Sequence, residues 1–230
     1  FDVFVGLYGA DKMSIAPPPL LSAAISETID CSGIVISIRY LSRNDANHER
    51  LVTDGVHTSL SALLGDATAT PDMKVDAAAV LCFLSSNAAT HERLVTAGVH
   101  TSLSALLGDA TATPDTKENA AAALCNLSFS DATHERLFTA DVHTSLRALL
   151  GDATATPGTK QNASAALRNL STNDATRERL VTDGVHTSLI ALLGDGTATP
   201  DTKQNASAAL CSLSINDATR ERLVTDGVHR

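Results

Sequence analysis

The stretch Arg-Leu-Val-Thr-Asp-Gly-Val-His-Thr-Ser-Leu at residues 50–60 returns unchanged at residues 179–189. It returns again at 93–103 with Ala97 in place of the aspartate, and in a more altered form at 136–146. Working outward from it, Leu51, Leu94, Leu137, Leu180 and Leu223 form one column with a spacing of 43 residues. Leu41, Leu84, Leu127, Leu170 and Leu213 form a second column at the same spacing, each followed by Ser. The segments 152–179 and 195–222 differ at five of 28 positions. A fixed period of this length marks an array of supersecondary units that bury their apolar faces on one another. The frame extends back to place Leu20 and Leu21 over Leu63 and Leu64, with Pro17, Pro18 and Pro19 marking divergence. One domain over 1–230 is therefore expected. It comprises a diverged unit over 1–42, four regular units over 43–214, and the start of a truncated unit over 215–230.

Each unit reads as three helices. The first is short, with Asp131 as the expected N-cap before Ala132, and it stops at a glycine suited to a left-handed turn (Gly55, Gly98, Gly184, Gly227). Asp141 replaces that glycine once, which predicts strain or a different turn there. The second helix carries Val56, Leu60, Leu63 and Leu64 on one stripe and ends at Gly65-Asp66. The third opens with Thr-Pro, where Thr can cap and Pro suits the first turn. Its Ala163, Ala166, Leu167 and Leu170 again share a face. Stacked units of this kind give an all-α, right-handed solenoid.

Composition agrees. Aromatic residues are 3% of the chain and Trp is absent, while hydrophobic residues reach 43%. Such a sequence is poorly suited to a β-sandwich or barrel and too apolar for disorder. Ala-rich faces let helices approach to about 8–10 Å, so five steps make a rod on the order of 50 Å long. The net charge of −9 argues against a nucleic-acid or anionic-membrane binder, and no apolar stretch is long enough to span a bilayer. Four cysteines without a Cys-x-x-Cys pair, and a start without a basic signal region, predict an intracellular protein. The start at Phe1 rather than Met reads as a fragment.

These residues resemble the armadillo repeat family. The resemblance rests on the short first helix, on the glycine before helix two in Thr-Asp-Gly-Val-His-Thr-Ser-Leu, and on the Ala-x-x-Ala-Leu-x-Asn-Leu-Ser third helix at 120–128 and 163–171. It covers residues 20 to 230, more weakly before 40. It implies a non-catalytic scaffold whose third helices line a groove for an extended peptide or partner segment. In that family an Asn near the end of the third helix bonds the peptide backbone, and a Trp four residues earlier lines side-chain pockets. The Asn column here reads Tyr40, Phe83, Asn126, Asn169 and Ser212. The Trp column reads Ile36, Ala79, Ala122, Ala165 and Ala208. The missing Trp counts against the import-receptor branch that recognises basic nuclear-localisation peptides.

The expected groove side chains are Tyr40, Phe83, Glu118, Asn126, Gln161, Arg168, Asn169 and Gln204, apolar at the amino-terminal end and amide-rich at the other. Regularly spaced amides can satisfy the free N–H and C=O groups of an extended ligand. Tyr40 and Phe83 fit packing between units equally well. Arg39 and Arg168 share a column with Cys82, Cys125 and Cys211; a bidentate contact to an acidic partner and plain solvation are both open to them. The eight histidines recur with the repeat and lack metal-ligand spacing, so they read as capping or surface residues and no metal or cofactor is expected. No phosphate loop or nucleophile motif occurs, so catalysis has no candidate. A different class of reading is a structural component, or self-association through apolar ends that include Leu210, Leu213 and Leu223.

Overall fold

The computed structural model describes residues 31–226. Among them are fourteen α-helices, two 3-10 turns and no strand. Helix α1 (Cys31–Ser42) stands where the third helix of a first unit is expected. Four full rounds follow with the same order. The second unit holds α2 (His48–Thr53), α3 (Val56–Gly65) and α4 (Pro71–Ser85), and the third holds α5 (His91–Thr96), α6 (Val99–Gly108) and α7 (Pro114–Leu127). The fourth holds α8 (Asp131–Thr139), α9 (Val142–Gly151) and α10 (Pro157–Leu170). A fifth repeats them as α11 (Asp174–Thr182), α12 (Val185–Gly194) and α13 (Pro200–Leu213), and α14 (Asp217–Thr225) opens the next. The expectations for Pro17 to Leu21, the Cys31 side chain, Gly227 and His229 lie outside the described residues.

Local chemistry sets these boundaries. Thr70, Thr113, Thr156 and Thr199 cap the third helices: each hydroxyl accepts the N–H three residues on, at 3.0–3.3 Å, with Pro following at the first turn. The loop before each cap is closed by an aspartate. Asp66, Asp109, Asp152 and Asp195 each accept from the backbone and hydroxyl of the Thr two residues on, at 2.7–2.8 Å, which holds these carboxyls below their usual range. The turn glycines Gly55, Gly98 and Gly184 have φ of 74–78°, in the left-handed region. Asp141 takes that same conformation, φ 54° and ψ 24°, so the turn is strained but not reshaped.

The first helix departs from expectation in its cap. Ser130, not Asp131, is the N-cap of α8, and Asp131 sits inside the first turn. The same column supplies Asn173 and Asn216, whose side chains accept from Ala175 and Thr219 backbone N–H groups. In the second and third units Asn44 and Asn87 cap a 3-10 turn instead, which leaves α2 and α5 only six residues long. An Asn one residue earlier reaches the free N–H groups with extended backbone, which Asp131 cannot do once it is helical.

The third helices pack as one ladder, α1–α4–α7–α10–α13, with the second helices stacked in a parallel row behind them. Ala120, Ala121, Ala123, Ala163, Ala166, Ala206 and Ala209 are fully buried between rungs together with the Leu columns. Two polar ladders tie successive units. His48, His91 and His134 donate through Nε2 to the terminal carbonyls of Ser42, Ser85 and Ser128, at 2.6–2.8 Å. In the last two rounds Arg177 and Arg220 do the same to Ser171 and Ser214 through Nε. On the outer edge Arg93, Arg136 and Arg222 donate to Thr53, Thr96 and Thr182, whereas Arg179 reaches Glu135 and lies over the Phe138 ring.

Candidate functional site

The third helices leave one face unpacked. Because Ala163, Ala166, Leu167 and Leu170 turn inward, positions one helical turn apart on the other side turn outward. On α7 these are Glu118, Ala122 and Asn126, all half-buried; on α10 they are Gln161 and Ala165, with Asn169 at 8% exposure. On α13 Gln204 is exposed. On α1 Ile36 and Tyr40 are 43% and 61% exposed, and Phe83 on α4 is half-buried. All eight expected residues therefore lie along one ladder, but they are not alike.

Several are engaged within the scaffold. Asn126 donates from Nδ2 to the Cys82 carbonyl and to Ser85 Oγ, both at 3.3 Å. Asn169 donates to Ser128 Oγ at 3.0 Å. The amide column thus points its donors at the preceding unit. Arg168 donates to Asn205 Oδ1 at 3.0 Å and to Asn169 Oδ1 at 3.5 Å, and Arg39 pairs with Asp76. These two arginines tie neighbouring third helices while staying partly exposed. Glu118 accepts the Thr156 hydroxyl at 2.5 Å, beside the start of α10, where a carboxylate suits the helix dipole.

Other side chains stay available. Gln161 and Gln204 make no side-chain hydrogen bond among the described residues. Among the described residues Tyr40 is stacked by Arg43, whose guanidinium lies 5.0 Å from the ring centroid. Sequence reasoning missed Phe129, 64% exposed, and Ile215, 61% exposed, in the turns just after α7 and α13. Their signal was present: the column Arg43, Ser86, Phe129, Thr172, Ile215 varies from unit to unit beside invariant leucines.

The thiols of Cys82 and Cys125 are pushed up to about 11 by burial, which keeps them protonated and poor nucleophiles at neutral pH. No group of three His, Cys, Asp or Glu residues that would hold a metal forms among the described residues. A cavity of about 840 Å³ opens between α9, α12, the loops that follow them and the first turns of α10 and α13, walled by Arg147, Lys160 and Asp195. No described helix is long and apolar enough to cross a membrane.

No protein-family model matches the chain, and no curated protein matches it. Solved structures do. One designed armadillo repeat protein is 25% identical, with a TM-score of 0.78 over 91% of this chain and 87% of its own. A structure of computationally designed armadillo repeat proteins for modular peptide recognition gives the same figures. A third designed armadillo repeat protein, in complex with the peptide (KR)4, is 22% identical with a TM-score of 0.74 over 91% of this chain and 84% of its own. The three-helix rounds, the left-handed turn and the third-helix ladder are those of an armadillo-repeat solenoid.

Proposed function

We propose that this armadillo-type solenoid is a non-catalytic scaffold that binds an extended peptide or partner segment across its third helices. One observation carries the reading. Of the five large apolar side chains exposed among the described residues, Ile36, Tyr40, Phe129 and Ile215 lie on third helices or in the turns that end them. Apolar groups gathered on one face are the usual mark of a contact surface. Gln161 and Gln204 add uncommitted amides on the same face, able to pair with ligand backbone. That one designed neighbour holds a peptide adds support from the fold.

The test is a selection of peptides from a random-sequence library on the whole chain, followed by affinity measurements on a Tyr40→Ala, Gln161→Ala, Gln204→Ala variant. These side chains are exposed or uncommitted, so the variant is expected to keep its helicity and melting temperature. It is expected to lose at least about tenfold in affinity, equivalent to about 1.4 kcal/mol. Selected peptides that bind the variant unchanged remove the groove reading.

A further inference from the structure

The groove face is unequal across its width. Asp72, Asp115 and Asp201 sit in the first turns of α4, α7 and α13, exposed, and none of them is in an ion pair among the described residues. They lie one turn before the groove column of Val75, Glu118 and Gln204, so they continue the outward face toward its amino-terminal edge. Acids there also suit the helix dipole, which lets the same residues fold the helix and face a ligand. Beside the first two acids the neighbouring cations are directed elsewhere: Lys74 acts on the loop aspartates Asp66 and Asp109, and Lys117 on Asp109 and Asp152. At the other edge stand Tyr40, Phe83, Phe129 and Ile215. Eleven residues separate Asp72 from Phe83, and fourteen separate Asp115 from Phe129 and Asp201 from Ile215, roughly 16 to 21 Å at 1.5 Å per residue.

From this we infer that the partner is an extended segment with two chemically different sides, basic residues on one and apolar residues on the other. The inference rests on the groove reading and names its ligand. A strand alternates its side chains to opposite sides, so a segment laid across the rungs presents one parity to each edge. Lys or Arg at one parity reaches the acids; Leu, Ile or aromatic residues at the other meet the apolar edge. The fourth unit breaks the pattern at both edges. Gly158 replaces the acid, Asn169 and Thr172 leave the apolar edge without the one apolar side chain that Tyr40, Phe83, Phe129 or Ile215 gives the other units, and Arg168 adds a cation. The ligand's alternation is therefore interrupted over α10.

Two capped peptides of about twelve residues, enough to span four rungs at about 8–10 Å, decide it. In one, Lys alternates with Leu; the other has the same composition with Lys and Leu in separate blocks. Equal charge cancels the general attraction to an acidic protein. With each peptide shown to be monomeric, the alternating one is expected to bind the full chain at least about tenfold more tightly. Asp72→Asn, Asp115→Asn, Asp201→Asn is expected to erase that difference, and so is Tyr40→Ala, Phe129→Ala, whose residues are exposed and not needed for folding. Equal affinities, or no binding by either peptide, overturn the two-sided ligand. If both peptides then still weaken with Tyr40→Ala, Phe129→Ala, the groove reading stands without it. A difference that neither variant touches overturns both.

Discussion

The Glu118 carboxylate fills the space above Gly158: a Cβ built on that glycine would lie 2.5 Å from Glu118 Oε1. In the other units the glycine's position holds Asp72, Asp115 or Asp201, and the preceding unit offers Ser32, Val75 or Gln161 where Glu118 stands. The acid has in effect moved one rung back, and the next helix has given up its own. Gly158→Asp would place two carboxylates together and displace Glu118 from Thr156. In the wild type it is expected to destabilise, whereas in Glu118→Gln it is expected to stabilise, because a helical glycine costs about 1 kcal/mol against better formers. Urea unfolding of the four proteins should show a coupling of about 1 kcal/mol. An identical effect of Gly158→Asp in both backgrounds would sink this account.

Asn169 and Gln161 share α10 and the same outward face, yet their variants should behave differently. Asn169→Ala removes a buried donor to Ser128 and leaves Arg168 without one of its acceptors. A cost of about 1–2 kcal/mol is expected. Gln161→Ala should stay within about 0.5 kcal/mol, since no side chain among the described residues holds that amide. Denaturant midpoints would separate them. A neutral Asn169→Ala would return this residue to the ligand.

The period, the helix types and the inward Ala and Leu columns were legible in the residues because each follows from spacing alone. Which outward side chains stayed free was not. Asn126, Arg168 and Glu118 look like ligand groups from their column, but their partners Ser85, Asn205 and Thr156 lie 37 to 41 residues away. Only the distance between adjacent rungs decides whether those pairs meet. Phe129 went unnoticed because it falls in the turn after the helix, outside the periodicity that identified the face.

Acid should loosen the solenoid through its second helices. Burial pushes His57, His100 and His143 below their ordinary value of 6.5, with Arg93, Arg136 and Arg179 adding to the effect. A histidine depressed in the fold contributes stability above about pH 6.5 that is lost as pH falls through its folded pKa. At His143 the Asp183 carboxylate, 2.9 Å away, opposes the shift; His57 and His100 meet Ala97 and Ala140 at the matching positions. Ala97→Asp is therefore expected to raise the His57 pKa and to shrink the loss of melting temperature between about pH 7.5 and about pH 5. An NMR titration of His57 that does not move on substitution would contradict the pairing.

The end of each third helix needs a donor, and the chain uses two residue types for it. His134 Nε2 meets the Ser128 carbonyl at 2.8 Å, and Arg177 Nε meets the Ser171 carbonyl at 3.3 Å one unit later. The role is hydrogen-bond donation from a buried position, and not histidine chemistry as such. His134→Ala strands a buried carbonyl and is expected to cost about 1–3 kcal/mol. His134→Arg is expected to cost much less, because Asp131 occupies the place of Asp174, which holds Arg177 at 2.6 Å. Equal losses for the two variants in thermal unfolding would show that ring packing, and not the donated bond, holds the junction together.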